Sequence, residues 1–459
     1  MGDQLTILDT MFLELEQVDP TAHMHIGAAL VFGPLPDGGA PDVEELRALI
    51  GARMGLLPRF AQRLSAPEAG PLTWLTWEPA PDFDIRTHLR HATLPAPGGD
   101  EELREWLGDF WSHRLDRHLP LWEIVLLDGL ADGRWAMATK THHCLVDGVG
   151  SLDIGDLLLD ADPDAPPPPE APLAPTGDTG AGGRFALTPG LLARGARASL
   201  SAARHPRRTV GQMVAAADLI VRDEILAAPH TSLNKPLSGT RHYRWLTLSL
   251  DDLAEVRTRL GGTLNDAVLA ICTGGLRALL LARGEEVPTT LRAQIPVNVR
   301  SEGTRDLGNE LTSLFVELPV GEPDPLARHA RILADVEARK HGSQKPGGSA
   351  IVRVADLAPP IAGELLARSM FGSTRMFNLT ITNVPGPKER RYALGAELQE
   401  VLPLVPLFTG HDVGIAAVSY AGELVIGVNA DRVAAPDVDV LADGLAEAFG
   451  ELRHAHATP

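Results

Sequence analysis

THHCLVDGVG, residues 141–150, sets two adjacent histidines behind an apolar run, an aspartate four residues after the second, and a glycine directly after that. Upstream, RWAMATKT (134–141) alternates Trp135, Met137, Thr139 and Thr141 with smaller or polar residues, the period of a strand. Downstream, Gly148 and Gly150 permit a tight turn, and VGSLDIGDLLLD carries Val149, Leu152 and Leu159 at helical spacing. The histidines therefore stand where a strand gives way to a helix. Neighbouring strand residues point to opposite faces, so His142 and His143 reach one pocket only if the strand has already turned. One imidazole then works and the other supports it. Imidazole is suited to taking a proton near neutral pH once its tautomer is fixed. Asp147 is the candidate for fixing the local geometry, either by bonding back to the loop or by pairing with an arginine. The spacing matches no zinc template. Cys144 could act as a nucleophile beside a base, but small apolar packing is its plainer role.

The rest of the chain bounds what this element can serve. With 459 residues, 44% of them hydrophobic, the sequence exceeds what one core usually holds, and two globular halves are expected. A formal net charge of −19 argues against a nucleic-acid footprint, so an anionic ligand must meet a local basic patch. Two cysteines, Cys144 and Cys272, make no disulfide framework, which fits a reducing cytoplasm. The opening MGDQLTILDTMFLELEQ lacks the basic start and apolar run of a signal peptide, and no stretch is expected to span a bilayer. Gly2 and Thr6 fit the loose myristoylation pattern, which is too short to separate from chance.

The clearest break is ADPDAPPPPEAPLAPTGDTGAGGR (161–184), a stiff and then flexible linker. It divides an N-terminal domain, 1–160, from a bridge, 161–232, and a C-terminal domain, 233–459. Residues 187–228 read as a basic amphipathic helix interrupted at Pro206, with Arg194, Arg197, Arg204, Arg207 and Arg208 away from its apolar side. It is either a surface bridge or an element that touches anionic lipid. Beyond it, helices are expected over 251–260, 264–282, 325–340, 350–369 and 437–453. Strands are expected at LRAQIPVNV, LTSLFVELPV and FNLTITNVPGP, and a hairpin around Ala421-Gly422. In FNLTITNVPGP, Phe377, Leu379 and Ile381 face one way while Asn378, Thr380 and Thr382 form a polar, uncharged face. The fold class is α/β with mixed sheets in two halves.

The string HHxxxDG resembles the active-site motif of acyltransferases with the chloramphenicol-acetyltransferase-like fold, including condensation domains of peptide synthetases. Further blocks are similar to the bacterial wax ester synthase/acyl-CoA:diacylglycerol acyltransferase family: LDTMFLELE with MHIGAALVF, PLWEIVLLDGL, TLNDAVLA, PVNVR, LGNE and TNVPGP, in order from about residue 4 to 452. The family usually has Ser before NVPGP; Thr382 keeps the hydroxyl. The resemblance implies two sandwich domains with a tunnel between them and the motif histidine at its centre. By carry-over, His143 is the general base and His142 its neighbour, while Asp147, before Gly148, pairs with an arginine, for which Arg300 is the candidate. The backbone near Gly148 or the Asn265 amide would meet the oxyanion. Asn378, Thr380 and Thr382 would line the tunnel; Trp122 reads equally as substrate contact or as core packing.

The implied activity is transfer of a long-chain acyl group from acyl-CoA to diacylglycerol, or to a fatty alcohol, by direct attack. No metal or cofactor is expected; acyl-CoA enters as co-substrate. The implied setting is the cytoplasm, in peripheral contact with membrane or lipid droplets. Two alternatives are a condensation-type transferase acting on carrier-bound substrates, and a catalytically silent lipid-binding protein of the same fold. Neither a carrier module nor a lost motif histidine accompanies this sequence.

Overall fold

The structure, a computed structural model, describes residues 5–65, 75–146, 155, 157–166, 227–298, 311–342 and 374–455. Most of the linker, the basic stretch and the expected helix at 350–369 lie outside the described residues.

Two six-stranded mixed sheets organise the chain, beside a two-stranded antiparallel ribbon of β2 (Gln62–Leu64) and β3 (Trp77–Pro79). The first runs β11 (Tyr392–Ala393), β12 (Ala396–Leu404), β1 (His25–Phe32), β6 (Trp135–His142), β5 (Trp122–Asp128), β4 (Leu89–Thr93). All its pairings are antiparallel except β4 with β5. The second runs β7 (Arg241–Ser249), β14 (Glu423–Asp431), β13 (Val413–Tyr420), β10 (Leu379–Pro385), β8 (Leu291–Asn298), β9 (Leu311–Leu318). There β10 lies parallel to both β13 and β8. Helices α1 (Ile7–Val18), α2 (Val43–Arg53), α3 (Ile85–His88) and α4 (Asp100–Ser112) accompany the first sheet. Helices α5 (Leu250–Leu260), α6 (Leu264–Ala282), α7 (Pro325–Gly342) and α8 (Val438–His454) accompany the second. The strands and helices expected after residue 240 agree with these to within two residues wherever the chain is described, and the hairpin turns at Ala421 and Gly422, both with positive φ (45° and 97°), as a two-residue connection with this twist requires.

Local chemistry sets the element ends. Thr263 and Asp266 form a reciprocal capping box that starts α6, and Gly261, at φ 80°, closes α5. Helices α6 and α8 cross at bare backbone: a Cβ on Gly274 would lie 2.4 Å from the Ala448 Cβ. Helix α6 is also long and apolar enough to cross a membrane, contrary to the expectation that no stretch would be, but most of it is buried between α8 and the second sheet. Core burial accounts for that apolarity.

The two sheets are not built from separate halves of the sequence. Strand β12 pairs antiparallel with β1, with Gly27 opposite Leu404 and Leu30 opposite Val401, so a segment from the C-terminal half completes the N-terminal sheet. In the other direction, Ser112 at the end of α4 accepts the Arg241 amide hydrogen at 2.7 Å, and Trp111 meets Tyr243 edge-on at 4.7 Å. A third apolar cluster fills the junction, with Met11, Phe12, Leu15 and Met24 from one half against Leu237, Phe377, Leu407 and Phe408 from the other.

Candidate active site

Strand β6 ends at His142, whose Cα partner across the ladder is His25. The next amide, His143, donates to the carbonyl of Met24 at 2.8 Å, and Leu145 N donates back to His142 O at 2.9 Å, closing a turn. This turn lets both adjacent imidazoles reach the same helix. On α1, Phe12 and Glu16 lie four residues apart on one face. Glu16 meets His142, and Phe12 stacks on His143 with ring centroids 4.1 Å apart and planes 16° from parallel. His143 therefore stands beside the apolar junction of the two halves, with only 8% of its surface exposed.

His142 is held from both sides. Its Nδ1 accepts from the Cys144 amide at 3.1 Å, which leaves Nε2 to carry the proton and donate to Glu16 Oε2 at 3.2 Å. Glu16 also accepts from Arg117 at 2.8 Å and Arg114 at 3.2 Å, two residues of the loop after α4, and lies 3.8 Å from His25. Burial opposes its charge, but the His142 hydrogen bond and the positive charge of Arg117 outweigh that and hold the carboxyl well below the usual carboxylate range. Burial lowers His25 well below the ordinary imidazole value and, with Arg241, lowers His23 to about 4, so both are neutral near pH 7. None of Phe12, Glu16, Arg117 or His25 was singled out from the sequence. The signal was present in LDTMFLELE, where Phe12 and Glu16 share helical spacing.

From the C-terminal half, Asn265 on the first turn of α6 accepts from Asn383 of β10 at 3.5 Å. Here the second sheet forks: β10 pairs with β8 only at Leu379 and Thr380, yet β10 continues along β13 to Pro385 and β8 continues along β9 to Asn298. Asn265, Thr382 and Asn383 are half-buried. The expected polar face divides. Asn378 is fully buried and its amide is engaged by Arg292 N, Pro229 O and Asn234, while the Thr380 hydroxyl donates to Gln294 at 3.0 Å. These two side chains tie strands and loop together, which leaves Thr382, half-buried and beyond the last pair with β8, as the member of the trio inside the fork.

Trp122 takes the packing role of its two readings: its indole N–H donates to Phe60 O at 2.7 Å and its ring stacks on His88 at 4.7 Å inside the N-terminal core. Cys144 is buried and burial pushes its thiol well above the usual value, so a thiolate is disfavoured. Among the described residues no group of three or more His, Cys, Asp or Glu is arranged to hold a metal ion. Asp147, Gly148 and Arg300 lie outside the described residues.

Residues 5–268 match the family model described as the wax ester synthase/diacylglycerol acyltransferase catalytic domain, and residues 307–453 match the WS/DGAT C-terminal domain. Two probable diacylglycerol O-acyltransferases of Mycobacterium tuberculosis are similar over nearly their whole length. One, tgs1, is 30% identical over 98% of this chain and 96% of its own; the other, tgs2, is 32% identical over 97% and 98%. Among solved structures, the wax ester synthase/diacylglycerol acyltransferase from Marinobacter aquaeolei VT8 superposes with a TM-score of 0.68 at 25% identity, covering 98% of both chains. The first condensation domain of the calcium-dependent antibiotic synthetase, at 19% identity and a TM-score of 0.63 over 100% of this chain and 98% of that one, shares the fold.

Proposed function

The chain belongs to the wax ester synthase/diacylglycerol acyltransferase family, and from that premise we propose that it moves a long-chain acyl group from acyl-CoA to the free hydroxyl of diacylglycerol, with fatty alcohols as further acceptors. His143 is the general base. It takes the acceptor hydroxyl proton as the oxygen attacks the thioester carbonyl; the C–O bond forms, the C–S bond breaks, and the imidazolium returns the proton to the departing CoA thiolate. No acyl-enzyme intervenes. The observation that carries this reading is the turn that brings His143 out of its strand onto the apolar junction between the halves. His142 serves as its support, through the hydrogen bonds that tie it to Glu16 and Cys144 N. Asp147 with Arg300 is proposed to brace the loop, Gly148 to let it turn, and Asn265 with Thr382 to face the reacting carbonyl.

The acceptor and product are nearly insoluble, so the protein draws one from a lipid phase and returns the other to it; peripheral contact with membrane or lipid droplets, in the cytoplasm, belongs to the same proposal. The test is thiol release from palmitoyl-CoA in the presence of dioleoylglycerol, with the triacylglycerol resolved by thin-layer chromatography. His143→Ala is expected to lower turnover by about 10²–10⁴-fold. Retention of activity within a few-fold of the parent refutes the assignment.

A further inference from the structure

We propose that Phe12 is a positioning residue for His143, its ring fixing the imidazole and stabilising the positive charge that the imidazole gains when it takes the acceptor proton. The proposal rests on His143 acting as the base. Two features of the contact carry it. The rings lie nearly parallel, 16° apart, with centroids 4.1 Å apart, so the imidazole lies over the negative face of the benzene ring and within cation–π range. Both partners are also buried, at 8% for His143 and 4% for Phe12, so water screens the charge weakly. Phe12 is itself locked, since Met11, Leu15, Met24 and Phe408 pack in the same cluster. A contact that strengthens as the imidazole becomes charged favours the transition state over the ground state, which is what lowers a barrier.

The titratable groups of the elements packed here are Asp9, Glu14 and Glu16 on α1, His23 before β1 and His25 at its start, His142 and Cys144 beside the imidazole in the chain, Arg114 and Arg117 from the loop after α4, and His411, stacked on Phe377 of the same cluster. None is altered by substituting Phe12. A shift of the acidic limb of the rate profile therefore reports the ring.

Phe12→Leu keeps the apolar bulk and removes the π face; Phe12→Tyr keeps both. Thiol release at saturating palmitoyl-CoA and dioleoylglycerol is measured from pH 5 to 9 for both variants, with melting curves to verify folding and Phe12→Met in place of Leu should Leu not fold. The expected result for Leu is a kcat about tenfold lower with KM within twofold, and an acidic limb moved to lower pH by about half to one unit, because the imidazolium has lost its partner. Tyr should restore kcat to within twofold and the limb to its original place. A kcat within twofold and an unmoved limb in the Leu variant overturns the proposal, as does equal loss in Leu and Tyr with an unmoved limb. His143→Ala, run beside them, separates the two failures: if it stays active the base assignment has failed, and if it is dead while Phe12→Leu is normal only the role of Phe12 has.

Discussion

Replacing Glu16 by Gln keeps the shape and an acceptor for His142 but removes the one carboxylate at the centre of two arginines and two histidines. The loss can be apportioned. Arg114 is more than a third exposed, and its share of the ion pairing is screened to about 1 kcal/mol or less. Arg117 is mostly buried, and its charge faces Glu16 at 2.8 Å with the Leu13 carbonyl as its other acceptor. Uncovering a buried charge costs about 3–5 kcal/mol when the partner is deleted. The amide oxygen of Gln retains part of that, so about 2–3 kcal/mol is expected. With an unfolding entropy of about 2.1 cal/mol/K per residue over 459 residues, the melting midpoint should fall by about 2–3 °C. Turnover should fall about tenfold, because the amide can present its NH2 to His142 and turn that ring. The pH dependence carries a sign. Glu16 has a folded pKa below its unfolded one, so its contribution is present above the unfolded value, near pH 4.5, and is lost as pH falls through the folded value. The stability gap between parent and Gln variant should therefore be constant from pH 5 to 8 and narrow below pH 4. Scanning fluorimetry across that range, with thiol release at pH 7.5, makes the measurement. A Gln variant that melts within 1 °C of the parent and turns over at the parent rate refutes the view that Glu16 organises the histidine pair.

Cys144→Ser should leave turnover within a few-fold of the parent, and intact-mass spectrometry after mixing with acyl-CoA alone should show no acyl adduct on either protein. Asp412 is fully buried, with no hydrogen-bond partner for either carboxylate oxygen among the described residues; burial raises it to about 7 against the charges of Arg283 and Lys235. From about pH 4 to 7 the folded state then holds a proton that the unfolded state has lost, so stability drains as pH rises. Asp412→Asn should melt above the parent at pH 8 and level with it at pH 4, and equal midpoints at both would contradict this. Substituting Gln for Arg194, Arg197, Arg204, Arg207 and Arg208 should abolish flotation with anionic vesicles, at roughly 1 kcal/mol for each arginine near the surface; unchanged flotation removes this segment from the lipid contact.

What could be read from the sequence was periodic or local. Helix α6 announced itself through its apolar stripe, and the hairpin at Ala421-Gly422 through the two apolar runs around it. The motif histidines were placed at a strand end for the same reason. What escaped was set by contacts distant in sequence. Glu16 is an ordinary acidic residue on an amphipathic helix until folding lays it against Arg114, Arg117 and His142, which lie 98, 101 and 126 positions away. Asn378 and Thr380 alternate as a polar face should, yet the loop at 229–234 and the neighbouring strand engage their side chains, which period-2 spacing cannot distinguish from a face turned to a cavity. Trp122 went to the core because Phe60 offered its N–H a carbonyl there.

The pairing of β1 with β12 has a consequence for how the protein is made. Emerging from the ribosome, residues 25–32 have β6 on one side as soon as residue 142 is out, but the other side must wait until residue 404 has been synthesised. At about 5–20 residues per second, those 262 residues (404 − 142) take roughly 13–50 s. Throughout that interval the N-terminal sheet exposes a row of unpaired amides and carbonyls along Gly27 to Phe32, with Ala28, Leu30 and the rest of an apolar strand beside them. A nascent chain stalled within that window is a template for another copy of itself. Fragments ending before residue 396 should accordingly collect in the insoluble fraction, and adding a peptide spanning 396–404 during their refolding should return part of them to solution.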